Sequence, residues 1–219
     1  DENIHVIYNG VDSGRFSPEN DCSYLYNEWN IPKTARVIGM IGRVNSWKGQ
    51  GDFLKAANMI MKKYSDVYTV FVGSAFAGEE WREKELADEI SCSPYKDRII
   101  NRGYRNDSEG IYKLYDVFIL PSINPDPLPT VVLEAMATGK PVVGYRHGGV
   151  CEMVKDGYNG YCADVRNPKE LAEKVMVILD DESLREQMGH NSRKRLLEEF
   201  SIESYIKNYS NEYYRLTMK

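Results

Sequence analysis

Val117-Phe-Ile-Leu-Pro121-Ser-Ile-Asn-Pro-Asp126-Pro-Leu-Pro-Thr130-Val-Val-Leu-Glu134-Ala-Met-Ala-Thr-Gly-Lys-Pro141-Val-Val143 is the stretch of the 219-residue chain from which the fold can be read. Residues 117–120 are apolar without interruption, as in a strand covered on both faces. A proline-stiffened loop follows. From Thr130 the pattern is helical to about residue 138, and 141–143 form a second strand-sized run. Strand, helix and strand in that order make a parallel βαβ unit.

The same alternation extends in both directions. Further strand-like runs are 5–8, 37–41, 68–72, 98–100 and 160–162, and helix-like stretches are 51–64, 79–90 and 108–115. A helical tail closes the chain. Asn167-Pro168 with Glu170 reads as an N-cap, a first-turn proline and a capping carboxylate. Leu171, Val175, Ile178 and Leu179 then line one helical face. A second tail helix is expected over 182–198. A third, capped by Ser201, carries Ile202, Tyr205, Ile206, Tyr209, Tyr213 and Leu216 on one side. Such a stripe ordinarily packs against something. The reading is an α/β, Rossmann-like, doubly wound parallel sheet with a C-terminal helical tail, one domain over 1–200 and a terminal helix over 201–219.

Composition sets the outer bounds. Charged residues make up 28% of the chain with a net charge of −5, and both signs are scattered along it, which argues against a nucleic-acid surface. No apolar run approaches the roughly 18 residues that span a bilayer, and Asp1-Glu-Asn is not a signal-peptide start. The four cysteines include no C-x-x-C pair, and with only three histidines a zinc site is not expected. Reduced thiols in a cytoplasmic protein are the simpler reading.

Open α/β sheets bind ligands at the carboxyl ends of their strands, near the point where strand order reverses, so the loops there are the candidates. The loop after 37–41 reads Gly42-Arg43-Val-Asn-Ser-Trp-Lys48-Gly49, with an arginine fork and a lysine point charge suited to a polyphosphate. The loop after 117–120 offers Asp126 and the start of a helix at Thr130 and Val131, where free N–H groups and the helix dipole suit phosphate oxygens. Glu134, about one turn further on, can accept hydrogen bonds from vicinal hydroxyls. Arg146-His147-Gly148-Gly149 forms a third turn, leading into a short helix. His147 reads equally as structural or functional.

Taken together, these motifs resemble the family-4 retaining glycosyltransferases, enzymes built from two Rossmann-like domains (GT-B). Asp126-x7-Glu134 followed by Ala-Met-Ala-Thr-Gly-Lys-Pro is similar to that family's E-x7-E motif, and Gly42-Arg43…Lys48-Gly49 to its diphosphate-clamping loop. Val6-Ile-Tyr-Asn-Gly-Val-Asp12 with Phe16, Gly148-Gly149-x-x-Glu152 and Gly157-x-x-Gly160 follow the family's order, so the likeness spans nearly the whole chain. The resemblance implies the donor-binding C-terminal half of an enzyme that transfers a sugar with retention from a UDP- or GDP-type nucleotide sugar, in polysaccharide or glycoconjugate synthesis. It implies no cofactor and no metal, in keeping with the absence of a D-x-D sequence. Arg43 and Lys48 would hold the diphosphate, Glu134 the ribose and Asp126 the donor sugar, with Gly103 and Tyr104 beside the base.

It also implies an acceptor domain before residue 1, with the last helix packing toward it, and a cytoplasmic location where any membrane contact is peripheral and made by that other half. The isolated chain should bind nucleotide sugar weakly and transfer nothing. Two positions depart from the family pattern. Asp126 stands where glutamate is usual, and Pro127-Leu-Pro129 replaces Gly-Phe-Gly, which removes one N–H at Pro129. These changes read as a donor-specificity variant. The rival readings are a sugar-nucleotide epimerase or hydrolase, which would need His147 as acid or base, and a non-catalytic nucleotide-sugar-binding module.

Overall fold

The computed structural model describes residues 4–218, and the opening stretch forms strand, loop, helix and strand as its pattern implies. In chain order the strands are β1 (Arg36–Ile41), β2 (Val67–Val72), β3 (Ile99–Arg102), β4 (Val117–Leu120), β5 (Val142–Tyr145) and β6 (Gly160–Ala163). The helices are α1 (Ser23–Glu28), α2 (Gln50–Lys63), α3 (Trp81–Ser91), α4 (Ser108–Leu114), α5 (Thr130–Ala137), α6 (Val150–Met153), α7 (Pro168–Asp180), α8 (Glu182–Arg195) and α9 (Ile202–Thr217). All pairings are parallel and the sheet order is β3-β2-β1-β4-β5-β6. This is the doubly wound Rossmann-like arrangement, and its order reverses between β1 and β4.

The unbroken apolar strands are explained by a helical layer on each face. Phe118 and Leu120 point into one core with Tyr112, Leu133 and Phe200. Val117 and Ile119 point into the other, with Phe53 of α2 and Val175 and Ile178 of α7. Successive strand residues face opposite ways, so a strand between two layers must be apolar at every position. The register of β4 on β1 is reinforced at its start, where the Asp116 carboxylate accepts from the Val37 N–H at 2.7 Å and the Asp116 N–H donates to the Val37 carbonyl.

Capping in the tail follows the expected chemistry. Asn167 Oδ1 accepts from the Glu170 N–H at 3.1 Å, and the Glu170 carboxylate reaches back to the Asp164 N–H. Ser201 Oγ accepts from the Ser204 N–H at the start of α9. α8 stops at Arg195, and a wider π turn, Leu196–Phe200, continues it into the cap of α9.

One expectation is corrected. Residues 5–8 are not a strand: the segment passes outside the sheet, where the Tyr8 ring packs on Phe200 at 5.1 Å and its hydroxyl donates to Glu152. Its partner is the chain entering α9, through Val11 N–H to the Phe200 carbonyl and Ile202 N–H to the Val11 carbonyl. The apolar stripe of α9 is left uncovered by the described residues. Ile202, Ile206, Tyr209, Tyr213 and Leu216 are exposed, and Tyr205 finds only Tyr209 as a ring neighbour. Among the described residues no helix is long and apolar enough to cross a membrane.

Candidate functional site

The carboxyl ends of β1, β2 and β4 are drawn together by close backbone approaches that only glycine permits. Gly73, at φ +139°, lies so close to the Gly42 carbonyl that a Cβ there would collide with it. Gly42 N–H donates to Val72 O and Val44 N–H to Ser74 O, which lays the β1 loop along the exit of β2. The turn is then shaped by Asn45, whose Oδ1 accepts from the N–H groups of Trp47 and Lys48. Gly49, at φ +81°, begins α2 against the Pro121 carbonyl, and Ile123 N–H donates to Trp47 O at 2.7 Å. The loops after β1 and β4 are thereby joined across the switch point.

That junction sets Lys48 against Asp126. Their charged atoms are 2.5 Å apart, with the side chains only 12% and 16% exposed. The Asp126 loop is held from its other side by the Gly-Gly turn. Gly149 N–H donates to the Asp126 carbonyl at 2.8 Å, and a Cβ on Gly149 would overlap the Pro127 carbonyl. The role of Gly148 and Gly149 in seating the β4 loop could not be read from their spacing.

Three residues on, Pro129 starts α5 with ψ near 109° and no side-chain cap. The first N–H groups of an α-helix have no partner within it, so those of Thr130 and Val131 are available to an anion. One turn inside α5, Glu134 Oε2 accepts from the Tyr112 hydroxyl at 2.7 Å. Tyr112 is fully buried among Phe16, Tyr115 and Phe118 and cannot swing away. Burial pushes the Glu134 carboxyl up, while the Tyr112 hydroxyl and the nearby Arg15 charge pull it down.

A cavity of about 510 Å³ opens beside these groups, lined by Arg15, Gly42, Arg43, Ser74, Tyr104 and Glu134 among others. Arg43 is exposed, its guanidinium 3.6 Å from the Phe76 ring centroid. Tyr104 projects into solvent while its N–H is held by Ser74 Oγ at 2.8 Å. Arg105, also in the lining, is committed to Glu28 and Asp107, both at 2.7 Å.

Of the residues singled out from sequence, Gly42, Arg43, Tyr104 and Glu134 share this cavity. Lys48, Asp126, Thr130 and Val131 lie on the two joined loops and the start of α5, outside its lining. Gly103 lines a separate recess of about 50 Å³ with Val44 and Leu86. His147 Nε2 is 2.5 Å from the Ser122 carbonyl and must donate to it, while Nδ1 is buried without a partner. A ring tied in this way pins two loops and keeps its one unpartnered nitrogen buried, so His147 presents no accessible nitrogen to serve as the acid or base that an epimerase or hydrolase would need.

Arg15 and Tyr112 were not anticipated, whereas Ser74, read from the sequence with Ala75 and Phe76 as shaping the surroundings of the sugar, does line the cavity. Arg15 lay within the Val6–Phe16 motif without being distinguished from it, and Tyr112 lay unremarked within the helix-like stretch 108–115. Arg15 is positioned by Asp12 Oδ1, which accepts the N–H groups of Gly14 and Arg15, and by Arg193, which donates to the carbonyls of Ser13 and Phe16.

Comparison with known proteins gives a consistent result. The family described as Glycosyl transferases group 1 matches residues 25–195. A D-inositol 3-phosphate glycosyltransferase of Corynebacterium urealyticum is 32% identical over 85% of this chain and 45% of its own length. The UDP-Gal:alpha-D-GlcNAc-diphosphoundecaprenol alpha-1,3-galactosyltransferase of Escherichia coli is 30% identical over 91% of the chain and 51% of its own length. Among solved structures, Anabaena HepE in complex with UDP and glucose superposes with a TM-score of 0.88 at 27% identity, over 96% of this chain and 56% of that one. The C-terminal domain of the LpcC group 1 glycosyl transferase of Francisella tularensis superposes with a TM-score of 0.78 at 27% identity, over 88% of this chain and 100% of that one. The chain therefore spans about half the length of the curated relatives it matches. With its parallel sheet, its crevice at the switch point and a family match over most of its length, the chain belongs to the group 1 glycosyl transferases.

Proposed function

We propose that the crevice binds a nucleoside-diphosphate sugar of the UDP or GDP type, as the donor half of a retaining, metal-independent sugar transferase whose acceptor domain lies in another part of a longer protein. The observation that carries this reading is the meeting of three features at one switch point. These are the cations Arg43 and Lys48 on the β1 loop, the uncapped start of α5, and Glu134 one turn further in, held by Tyr112. HepE, 27% identical, is described in complexes with UDP and with UDP-glucose, which supports the nucleotide class.

The chemistry follows from the charges. As the bond between sugar and diphosphate breaks, negative charge grows on the phosphate oxygens. Fixed cations and N–H dipoles there stabilise the transition state more than the ground state. Removing one such donor costs on the order of 3 kcal/mol in the barrier. Arg43 can grip two oxygens at once, Lys48 supplies a mobile charge, and together they fill the place a divalent metal would take. The Glu134 carboxylate suits the ribose hydroxyls, and Asp126 the sugar and the positive charge developing at its anomeric carbon. The exposed apolar face of α9 is suited to packing against the acceptor domain.

The test is a thermal-shift screen of UDP, GDP, ADP and their sugars, with and without EDTA. A ligand at a hundredfold excess over its Kd adds about 2.7 kcal/mol, which is roughly 5–11 °C for a domain of this size. UDP or GDP should give such a shift, insensitive to EDTA and lost in Arg43→Ala and in Lys48→Ala. A shift that survives both substitutions, or requires metal, refutes the assignment. Sugar transfer by the isolated chain would refute the dependence on a second domain.

A further inference from the structure

The ion pair between Lys48 and Asp126 joins the two groups that the donor-site reading sends to different parts of the ligand, the lysine to the diphosphate and the aspartate to the sugar. Each is the other's only salt-bridge partner among the described residues, and the Asp126 carboxylate has no second hydrogen-bond donor there. The Trp47 ring, 4.6 Å from the ammonium, screens the pair further. Neither loop can drift away from the other. Gly49 is wedged against Pro121, Ile123 is bonded to Trp47, and Gly149 holds the Asp126 carbonyl.

An arriving diphosphate therefore meets a lysine already neutralised and a carboxylate that repels it. At 12% and 16% exposure that repulsion is weakly screened. An ammonium that turns to the phosphate leaves Asp126 without a partner in a half-buried place, which is unfavourable unless new donors reach it. The hydroxyls of a donor sugar are such donors. A bare nucleoside diphosphate has none to offer at that position.

We propose that Asp126 is a specificity-determining residue that acts through Lys48: the pair opposes bare nucleoside diphosphate and yields to a donor whose sugar hydroxyls take up the released carboxylate. The inference rests on the donor-site reading and adds discrimination between donor and product to it.

The experiment is calorimetric titration of the chain with UDP and UDP-glucose, or with GDP and GDP-mannose if the screen selects guanine. It compares the parent with Asp126→Asn, Lys48→Ala and the double variant, and uses Asp126→Ala as a second removal of the charge should Asp126→Asn not fold. Asp126→Asn should bind the bare diphosphate at least fivefold more tightly than the parent, and the preference for the sugar-bearing ligand should fall toward unity. The gain should be smaller in the Lys48→Ala background, where relief of the carboxylate's repulsion remains but no ammonium is released to the phosphate. A bare-diphosphate affinity in Asp126→Asn equal to or weaker than the parent's overturns the proposal, as does an equal gain without Lys48 or an unchanged preference for the sugar. Parent binding that is lost in Arg43→Ala while Asp126→Asn changes nothing leaves the donor site standing and removes only the exchange. No binding by the parent or any variant removes the donor site and the exchange together.

Discussion

Replacing Tyr112 by phenylalanine deletes one oxygen and leaves the packing of the ring intact. That oxygen is the donor to Glu134 Oε2 at 2.7 Å. A hydrogen bond to a charged group contributes about 1.5–3 kcal/mol. Because Glu134 lines a cavity that water can enter, the lower end applies, about 1.5 kcal/mol, or roughly 3–6 °C in Tm. The loss should depend on pH in a definite direction. Burial raises the folded carboxyl above its unfolded value of 4.5, and the Tyr112 hydroxyl is the largest influence opposing that rise. The stability Glu134 contributes is thus fully present below pH 4.5 and is lost as pH climbs through the folded value. Without the hydroxyl the folded value climbs higher, so the variant loses more over the same rise in pH. Melting curves of parent and variant at pH 5 and pH 8 check this, and the gap should be clearly larger at pH 8. A gap that is constant with pH, or wider at pH 5, refutes the idea that Tyr112 holds Glu134 as a carboxylate.

Two further outcomes follow from other contacts. Gly149→Ala places a methyl into the Pro127 carbonyl and must displace the Asp126 loop, at a cost of about 1–3 kcal/mol. A denaturant melt should detect the loss, and the titrations above should show weakened donor binding. Lys140, at the amino edge of the sheet, donates to the Lys113 carbonyl, and burial brings its amine down to about 8. A depressed lysine contributes stability that is present above its unfolded value and lost as pH falls through the folded one. The Tm of Lys140→Met minus that of the parent should therefore be greatest below pH 8 and shrink steadily toward pH 10. A flat difference across that range would show that the ammonium carries no burial penalty.

The sheet was legible because burial on both faces writes itself into composition. Phe118 and Ile119 face opposite cores, and only an apolar residue serves in either place. Helix starts were legible where one side chain does the capping, as Asn167 and Ser201 do. Residues 5–8 carry the same β-branched, aromatic signature as a strand, yet their partner is the chain near Phe200, far away in sequence. Periodicity reports whether a residue is buried, not what covers it. For the same reason α9 shows an amphipathic face without showing that nothing described covers it.

At the site, the residue types came from the sequence: Arg43, Lys48, Asp126 and Glu134 lie in loops after strands and at a helix start, and local chemistry names them as polar groups for an anionic sugar ligand. Only the tertiary structure decided which of them meet. Lys48 faces Asp126 across two loops locked by Gly49 and Gly149, and Glu134 is held by a tyrosine from a different helix. Strand order sets those distances, and strand order comes from the packing of distant segments, so a local pattern can name the groups without stating which pairs touch.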